Sequence, residues 1–173
     1  MKKIISIFFI LMIVYISNCF ASNVEDDINF SVSNQPVIVS ELSIKDNPFV
    51  GNARKDFDIK FKNLSNKDID AIEFTILFFD TFNNPAMINN TNQNYYTINN
   101  SAVINNTNQN YYTMIFQQKI KINKIKNSSW YMYNCPNAMK GKILIKQVHF
   151  TDDTIWVNDN YDDLLITGKD SFK

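Results

Sequence analysis

The stretch Asp56–Asp80, DFDIKFKNLSNKDIDAIEFTILFFD, carries the fold pattern in its plainest form. Phe57, Ile59 and Phe61 alternate with Asp58, Lys60 and Lys62, which puts apolar side chains on one side of a strand and charges on the other. Asn63-Leu64-Ser65-Asn66-Lys67 then reads as a turn. Beyond it Ile72, Phe74, Ile76 and Phe78 share one face against Glu73 and Thr75, and Leu77 and Phe79 make the far end apolar on both sides. A strand that loses its polar side in this way belongs in the middle of a sheet with cover on both faces.

The same period runs outward in both directions. Upstream, Val37 and Val39 alternate with Ile38 and Ser40, and Leu42 and Ile44 continue after a change of face. Downstream come Met114 and Phe116, a strictly alternating Lys119-Ile120-Lys121-Ile122, and Trp130 and Met132 against Tyr131 and Tyr133. Ile143, Ile145, Val148 and Phe150 make one long strand that turns at Thr151–Thr154 into Ile155-Trp156-Val157, and Leu164–Thr167 is a candidate last short strand. No sustained 3.6-residue spacing follows residue 21. Six to eight short strands with polar turns predict an all-β fold, an antiparallel β-sandwich over residues 36–158. Residues 22–35, with the Glu25-Asp26-Asp27 run, read as a flexible lead-in, and residues 159–173 as a polar C-terminal tail.

DFDIKFKNLSNKDIDAIEFTILFFDTFNNP, followed by VHFTDDTIW at Val148–Trp156, resembles small exported bacterial Ig-like β-sandwich domains of unknown function. The resemblance covers roughly Val37 to Asn158 apart from a repeat described below, and it implies an Ig-like fold and an exported address. It supplies no catalytic residues. Asn83 and Asp153 stand where that pattern has Gly; both residue types tolerate left-handed backbone, so the turns survive.

The N-terminus supports the same address. Lys2 and Lys3 precede an apolar run at Ile4–Ile16, too short for a comfortable bilayer span of about 20 residues but suited to a secretory signal peptide. Cys19 and Ala21 give small residues at the −3 and −1 positions, so cleavage is expected after Ala21, leaving residues 1–21 as the leader and the protein exported to periplasm, cell surface or medium. Cys19 also permits lipidation through a loose lipobox, Ile16-Ser17-Asn18-Cys19, although Asn18 departs from the usual Gly or Ala. Membrane attachment is expected only in that case.

The whole chain of 173 residues carries 17 basic and 17 acidic residues; without the leader, 15 basic stand against 17 acidic. A body of net charge −2 has no general attraction for nucleic acid, and none is expected as a partner. Asn, Ile, Lys, Phe and Tyr are enriched, all with A/T-rich codons, so base composition accounts for much of the bias.

INNTNQNYYT occurs twice, at Ile88–Thr97 and Ile104–Thr113. The duplication is larger than those ten letters: Phe79–Asn94 aligns with Tyr95–Asn110 at 11 of 16 positions, and each of the five differences is one nucleotide away. It reads as a tandem duplication of a hairpin connection, spanning residues 79–113. The even period of 16 preserves strand parity, and two copies are too few for a solenoid. Its functional alternative is a ligand-contact loop of Tyr95, Tyr96, Tyr111 and Tyr112, whose amphipathic rings suit a protein or glycan.

Candidate chemistry is sparse. His149 is the single histidine and points away from Val148 and Phe150 in the alternation; a hydrolase built on it is the distant alternative, without any G-x-S-x-G elbow. Cys135 is the one cysteine left after the leader, so no internal disulfide forms, and in Asn-Cys-Pro-Asn it reads as a structural thiol. Asp152, Asp153, Asp159, Asp162 and Asp163 lack the Gly and terminal Glu of a calcium loop. Lys119, Lys121, Lys124, Lys126, Lys140, Lys142 and Lys146 read as a solvent face that guards sheet edges, with weak contact to anionic polymer or lipid as the alternative. The sequons at Asn89, Asn105 and Asn127 are chance products of an Asn-rich chain. No catalytic residue, cofactor or metal is expected. The sequence therefore predicts a non-catalytic envelope module whose partner is an envelope or extracellular protein or glycan, with the Cys19-anchored lipoprotein as the alternative.

Overall fold

The computed structural model describes residues 28–47, 54–88, 102–104, 109–133 and 135–169. Among them the chain forms two antiparallel sheets and one short helix. The first sheet has strand order β1-β2-β6, with β1 at Val37–Asp46, β2 at Arg54–Asn63 and β6 at Ile125–Tyr133. The second has order β4-β5-β3-β7-β8: β4 at Ala102–Ile104, β5 at Tyr111–Phe116, β3 at Ile69–Phe79, β7 at Lys140–Phe150 and β8 at Ile155–Val157. The all-β class expected from the alternation is the class observed.

Strand β2 buries every second residue along its whole length, from Lys55 through Phe57, Ile59 and Phe61 to Asn63. Those side chains meet β3 and β5 of the other sheet. Phe61 lies 5.1 Å from Phe74 and 5.0 Å from Phe116, and Phe57 lies 6.0 Å from Phe78, ring centre to ring centre. Trp130 of β6 is the hub, with Phe57, Phe61, Phe74 and Phe116 all within 6.4 Å. Edge-to-face and stacked rings at such spacing add to the burial itself. Gly141 at the start of β7 lets β1 approach, since a Cβ there would lie 2.7 Å from Leu42 Cδ2.

The change of face in β1 is a bulge between Val39 and Glu41. A second bulge, at Lys146 of β7, is held by Asn158: its backbone N–H donates to Lys146 O at 2.9 Å and its side chain to Ile145 O at 3.0 Å. Asn83 and Asp153 adopt φ of 69° and 62°, the left-handed backbone their side chains were expected to tolerate.

Three expectations need correction. Leu164–Thr167 is no strand: Tyr161–Gly168 forms a helix, α1. Tyr161, Leu164, Leu165 and Gly168 fall at helical spacing, and the first three pack on Leu77, Phe79 and Leu144 of the five-stranded sheet's outer face. Asp162 and Asp163 lie in its first turn, where carboxylates complement the helix dipole. Lys119–Ile122 is likewise not a strand; Ile120 alone is buried, in an isolated bridge to Ile69, while Ile122 is 43% exposed in a turn with Asn123 at φ 56°. The lead-in, finally, is pinned from residue 28 onward. Ile28 joins the core, Asn29 exchanges side-chain hydrogen bonds with the Val39 backbone at 2.7 and 2.9 Å, and Phe30 N–H donates to Ile143 O. The Phe30 ring lies against Gly168, where a Cβ would collide with it, so lead-in and helix together cover the outer face that makes the end of β3 apolar on both sides.

Candidate functional site

The two ends of the sheets are built differently. At one end the β2–β3, β5–β6 and β7–β8 connections are tied together. Asn63 is fully buried there: its side-chain N–H groups donate to Lys67 O at 2.8 Å and Ile120 O at 3.1 Å, and its Oδ1 accepts from Ser65 N–H and Oγ–H. Asp68 accepts from Ile122 N–H at 3.0 Å and pairs with Lys119 at 2.9 Å, while Lys67 pairs with Asp152 at 2.8 Å. The Lys119 ammonium holds the Asp68 carboxyl below the usual carboxylate range, and Lys67 with Thr154 holds Asp152 down at about 2. Both carboxylates are better stabilised in the folded chain than in the unfolded one. Their contribution is present above the ordinary value of 3.8 and is lost as pH falls through the folded values, near 2 for Asp152. The melting temperature should therefore decline from about pH 4 toward pH 2, with a shallower decline in Asp152→Asn; a wild-type melting temperature flat across that window would contradict this.

The opposite end is described only in part, since residues 48–53, 89–101, 105–108 and 134 lie outside the described residues. The β1–β2, β3–β5 and β6–β7 connections all leave it, and the strand ends Asp46, Arg54, Phe79, Tyr111, Tyr133 and Lys140 surround it. Its floor is made by the start of the duplicated segment. Ala86 and Ile88 are buried, and the Cys135 thiol lies 3.6 Å from Ala86 O. Lys55, with a side chain 2% exposed, reaches Asp46 Oδ1 at 2.7 Å and Met139 Sδ at 3.8 Å. Three apolar side chains are exposed there: Phe82 is 86% exposed, and Met87 and Met139 are each 49% exposed. Met139 N–H donates to Phe79 O and Ala86 N–H to Phe78 O, which places all three on turns around the end of β3. The turn carrying Phe82 is capped by Asp80, whose Oδ1 accepts from Phe82 N–H at 2.8 Å and Asn84 N–H at 2.9 Å; Asn84 lowers the Asp80 carboxyl from its ordinary value. Sequence reading passed over Phe82, Met87 and Met139. The one available signal was an aromatic residue at a turn tip, inside Asp80-Thr81-Phe82-Asn83-Asn84-Pro85.

The anticipated contact residues divide. Cys19, Tyr95 and Tyr96, with the sequons at Asn89 and Asn105, lie outside the described residues. Tyr112 faces the core, 5% exposed and 6.1 Å from the Phe78 ring, so it is a packing residue and not a ligand contact. Tyr111, on the other side of β5, packs with the helix against Leu77, Phe79 and Leu144. Strand alternation sends two neighbouring tyrosines to opposite faces, and both faces here are covered.

His149 sits half-buried in β7 between Ala71 and Ile155, with no hydrogen bond to an acid or hydroxyl among the described residues. The acidic residues spread over the β7–β8 turn and the first turn of α1, and no three His, Cys, Asp or Glu among the described residues converge as a metal set. Four of the seven lysines have side-chain partners among the described residues, Lys119 through its pair with Asp68. Lys140 donates to Thr81 O and Asn83 Oδ1, Lys142 lies 4.8 Å over the Phe30 ring, and Lys146 pairs with Glu73 at 2.7 Å, which raises its pKa.

Burial pushes the Cys135 thiol up to about 11. At pH 8 the thiolate is about one part in a thousand of that group, which leaves it inert as a nucleophile. Titration with an aromatic disulfide reagent should find no reactive thiol in folded residues 22–173, and one after denaturation. Rapid native modification would place Cys135 elsewhere.

No family model matches the chain, and no curated protein matches it. Among solved structures it is similar to a hypothetical protein from Peptoclostridium difficile 630, with a TM-score of 0.59 at 15% identity over 80% of this chain and 93% of that one. The likeness is one of fold. A yeast delta-COP-I mu-homology domain, solved in complex with a Dsl1 WxWxV peptide, aligns at a TM-score of 0.35 and 15% identity over 68% of this chain and 49% of its own, too loosely to bear on this protein.

Proposed function

We propose that the chain is a non-catalytic, exported cell-envelope module: an Ig-like β-sandwich, following a cleaved leader, that acts by contact through the loops around Phe82. The observation that carries this reading is the exposure of Phe82, at 86% the most exposed large apolar side chain among the described residues, beside Met87 and Met139 at the end of β3. Large apolar side chains held on capped turns are material for recognition rather than for solubility. Facing ring-packed sheets support the sandwich, and the basic leader with its apolar run supports export. The partner is an envelope or extracellular protein or glycan.

The test compares capture from envelope extract by the wild-type body and by Phe82→Ser/Met87→Ser, both checked for cooperative unfolding. A partner retained by the first and lost by the second supports the reading; equal capture by both rejects the loops around Phe82 as the contact surface. Turnover of any substrate abolished by His149→Ala with the fold intact would overturn the non-catalytic assignment. Intact mass separates the two exported forms: a chain beginning at Ser22 is the soluble module, and one beginning at acylated Cys19 is the lipid-anchored alternative.

A further inference from the structure

Phe30, in the lead-in, and α1, more than a hundred residues later, meet on one surface. Leu77, Phe79 and Leu144 are fully buried there although they lie on the outer face of the five-stranded sheet, in a cluster apart from the core between the sheets. Phe30 and Tyr111 cover them together with Tyr161, Leu164 and Leu165 of α1.

The helix has little of its own to hold it. It is eight residues long, well under the roughly 12–15 that an isolated helix needs. Every residue of it stays partly or fully exposed, Asn160 gives it no side-chain cap, and its last turn carries no basic residue to complement the dipole. Its ties run to other elements. Tyr161 Oη and Thr75 Oγ1 share a hydrogen bond, and Asn110 Nδ2 donates to Lys169 O at 2.8 Å. Gly168 rests on the Phe30 ring, where an added Cβ would lie 2.3 Å from Cζ. Phe30 is itself fastened: its N–H donates to Ile143 O at 3.2 Å, and the Lys142 ammonium lies 4.8 Å from its ring centre. Asn29 before it exchanges two side-chain hydrogen bonds with the Val39 backbone.

We propose that α1 is a lid and the lead-in its latch: Phe30 against Gly168 holds the helix on the sheet, and withdrawing the lead-in frees the helix and bares Leu77, Phe79 and Leu144. A segment with so few buried residues opens locally, at lower cost than the sandwich unfolds. The hinge is short. Asn158 is tied to Ile145 O and Lys146 O, so only Asp159 and Asn160 lie between that fixed point and Tyr161. The coupling is reciprocal, so what loosens α1 loosens Phe30 by the same factor. The residues ahead of Ile28 are thereby linked to an apolar face of the sheet, separately from any contact made around Phe82.

Native-state amide exchange in the otherwise unaltered chain tests this. It is read at Leu164 and Lys169, which donate to Asn160 O and Leu165 O, at Phe30, and at Ile59 in the middle of β2. The first three should be protected about a hundredfold less than Ile59, because they exchange through the lid and not through global unfolding. Gly168→Ala gives the sign. Helix propensity alone would slow exchange in α1, whereas a methyl driven into the Phe30 ring should speed it about tenfold at Leu164, Lys169 and Phe30 alike. In a Phe30→Ala background the same change should instead slow α1 exchange, by about threefold. Slowing in both backgrounds, or no change in either, removes Phe30 as the latch. Equal protection at α1 and Ile59, or loss of the sandwich in Phe30→Ala, overturns the lid.

Discussion

Trp130→Ala is expected to unfold most of the population or bring it to the edge of unfolding. Removing a buried Trp or Phe ring costs about 3–5 kcal/mol, against a total of about 5–15 kcal/mol for an ordinary domain. The upper part of that range applies, because the indole touches Phe57, Phe61, Phe74 and Phe116 from both sheets and no single neighbour can move into the space. Trp130→Phe should cost far less. Its ring keeps most of those contacts, and the change removes an indole N–H that finds no acceptor among the described residues. Urea denaturation followed by circular dichroism measures both. A loss below about 1.5 kcal/mol for the alanine variant, smaller than core truncations of this size give, would show that Trp130 is not the hub of the interface between the sheets.

The second large effect is at Asn63. Asn63→Ala leaves Ser65 N–H without its acceptor and removes one of two donors from Lys67 O and from Ile120 O, which keep Ser65 Oγ–H and Ile69 N–H, in a place where the residue is fully buried. The stranded N–H costs about 1–3 kcal/mol, so a loss of about 2 kcal/mol is expected after partial rearrangement. Asn63→Asp should also destabilise, since the carboxylate accepts from Ser65 but cannot donate to two carbonyls. Asn66→Ala, three residues on and exposed, should change stability by less than about 0.5 kcal/mol. If Asn63 and Asn66 variants were equally mild, the tied end would owe its closure to the ion pairs instead.

Much of the fold was legible because burial repeats locally. The alternation in Phe57–Phe61 and Ile72–Phe78 is a direct record of one face turned inward, and the double-sided run at Leu77–Phe79 correctly implied cover on the second face. What supplied that cover was not legible. Tyr161, Leu164, Leu165 and Gly168 make barely two turns of helix, too short for periodicity to stand out from an acidic tail, and their apolar surface has meaning only above Leu77 and Leu144. Lys119–Ile122 failed for the converse reason: four alternating letters imitate a strand, yet Asn123 breaks the chain into a turn.

Of the candidate site, the duplication and the tolerance of Asn83 for left-handed backbone could be read from letters alone. Tyr111 and Tyr112 could not be assigned as surface, because a strand sends neighbours to opposite sides and only the packing says whether a side is wet.

By itself the sequence determined the all-β class, the turns after Asn63 and Phe150 and the identity of the repeated unit, since each depends on residues within a few positions of one another. The tertiary structure alone decided how the β2–β3 and β5–β6 connections are tied and that Ile88 of the repeat's first copy lies in the core. Those depend on pairings such as Asn63 with Ile120 and Ile88 with Gln109, where hydrogen bonds join residues far apart in the chain and no local pattern records the partner.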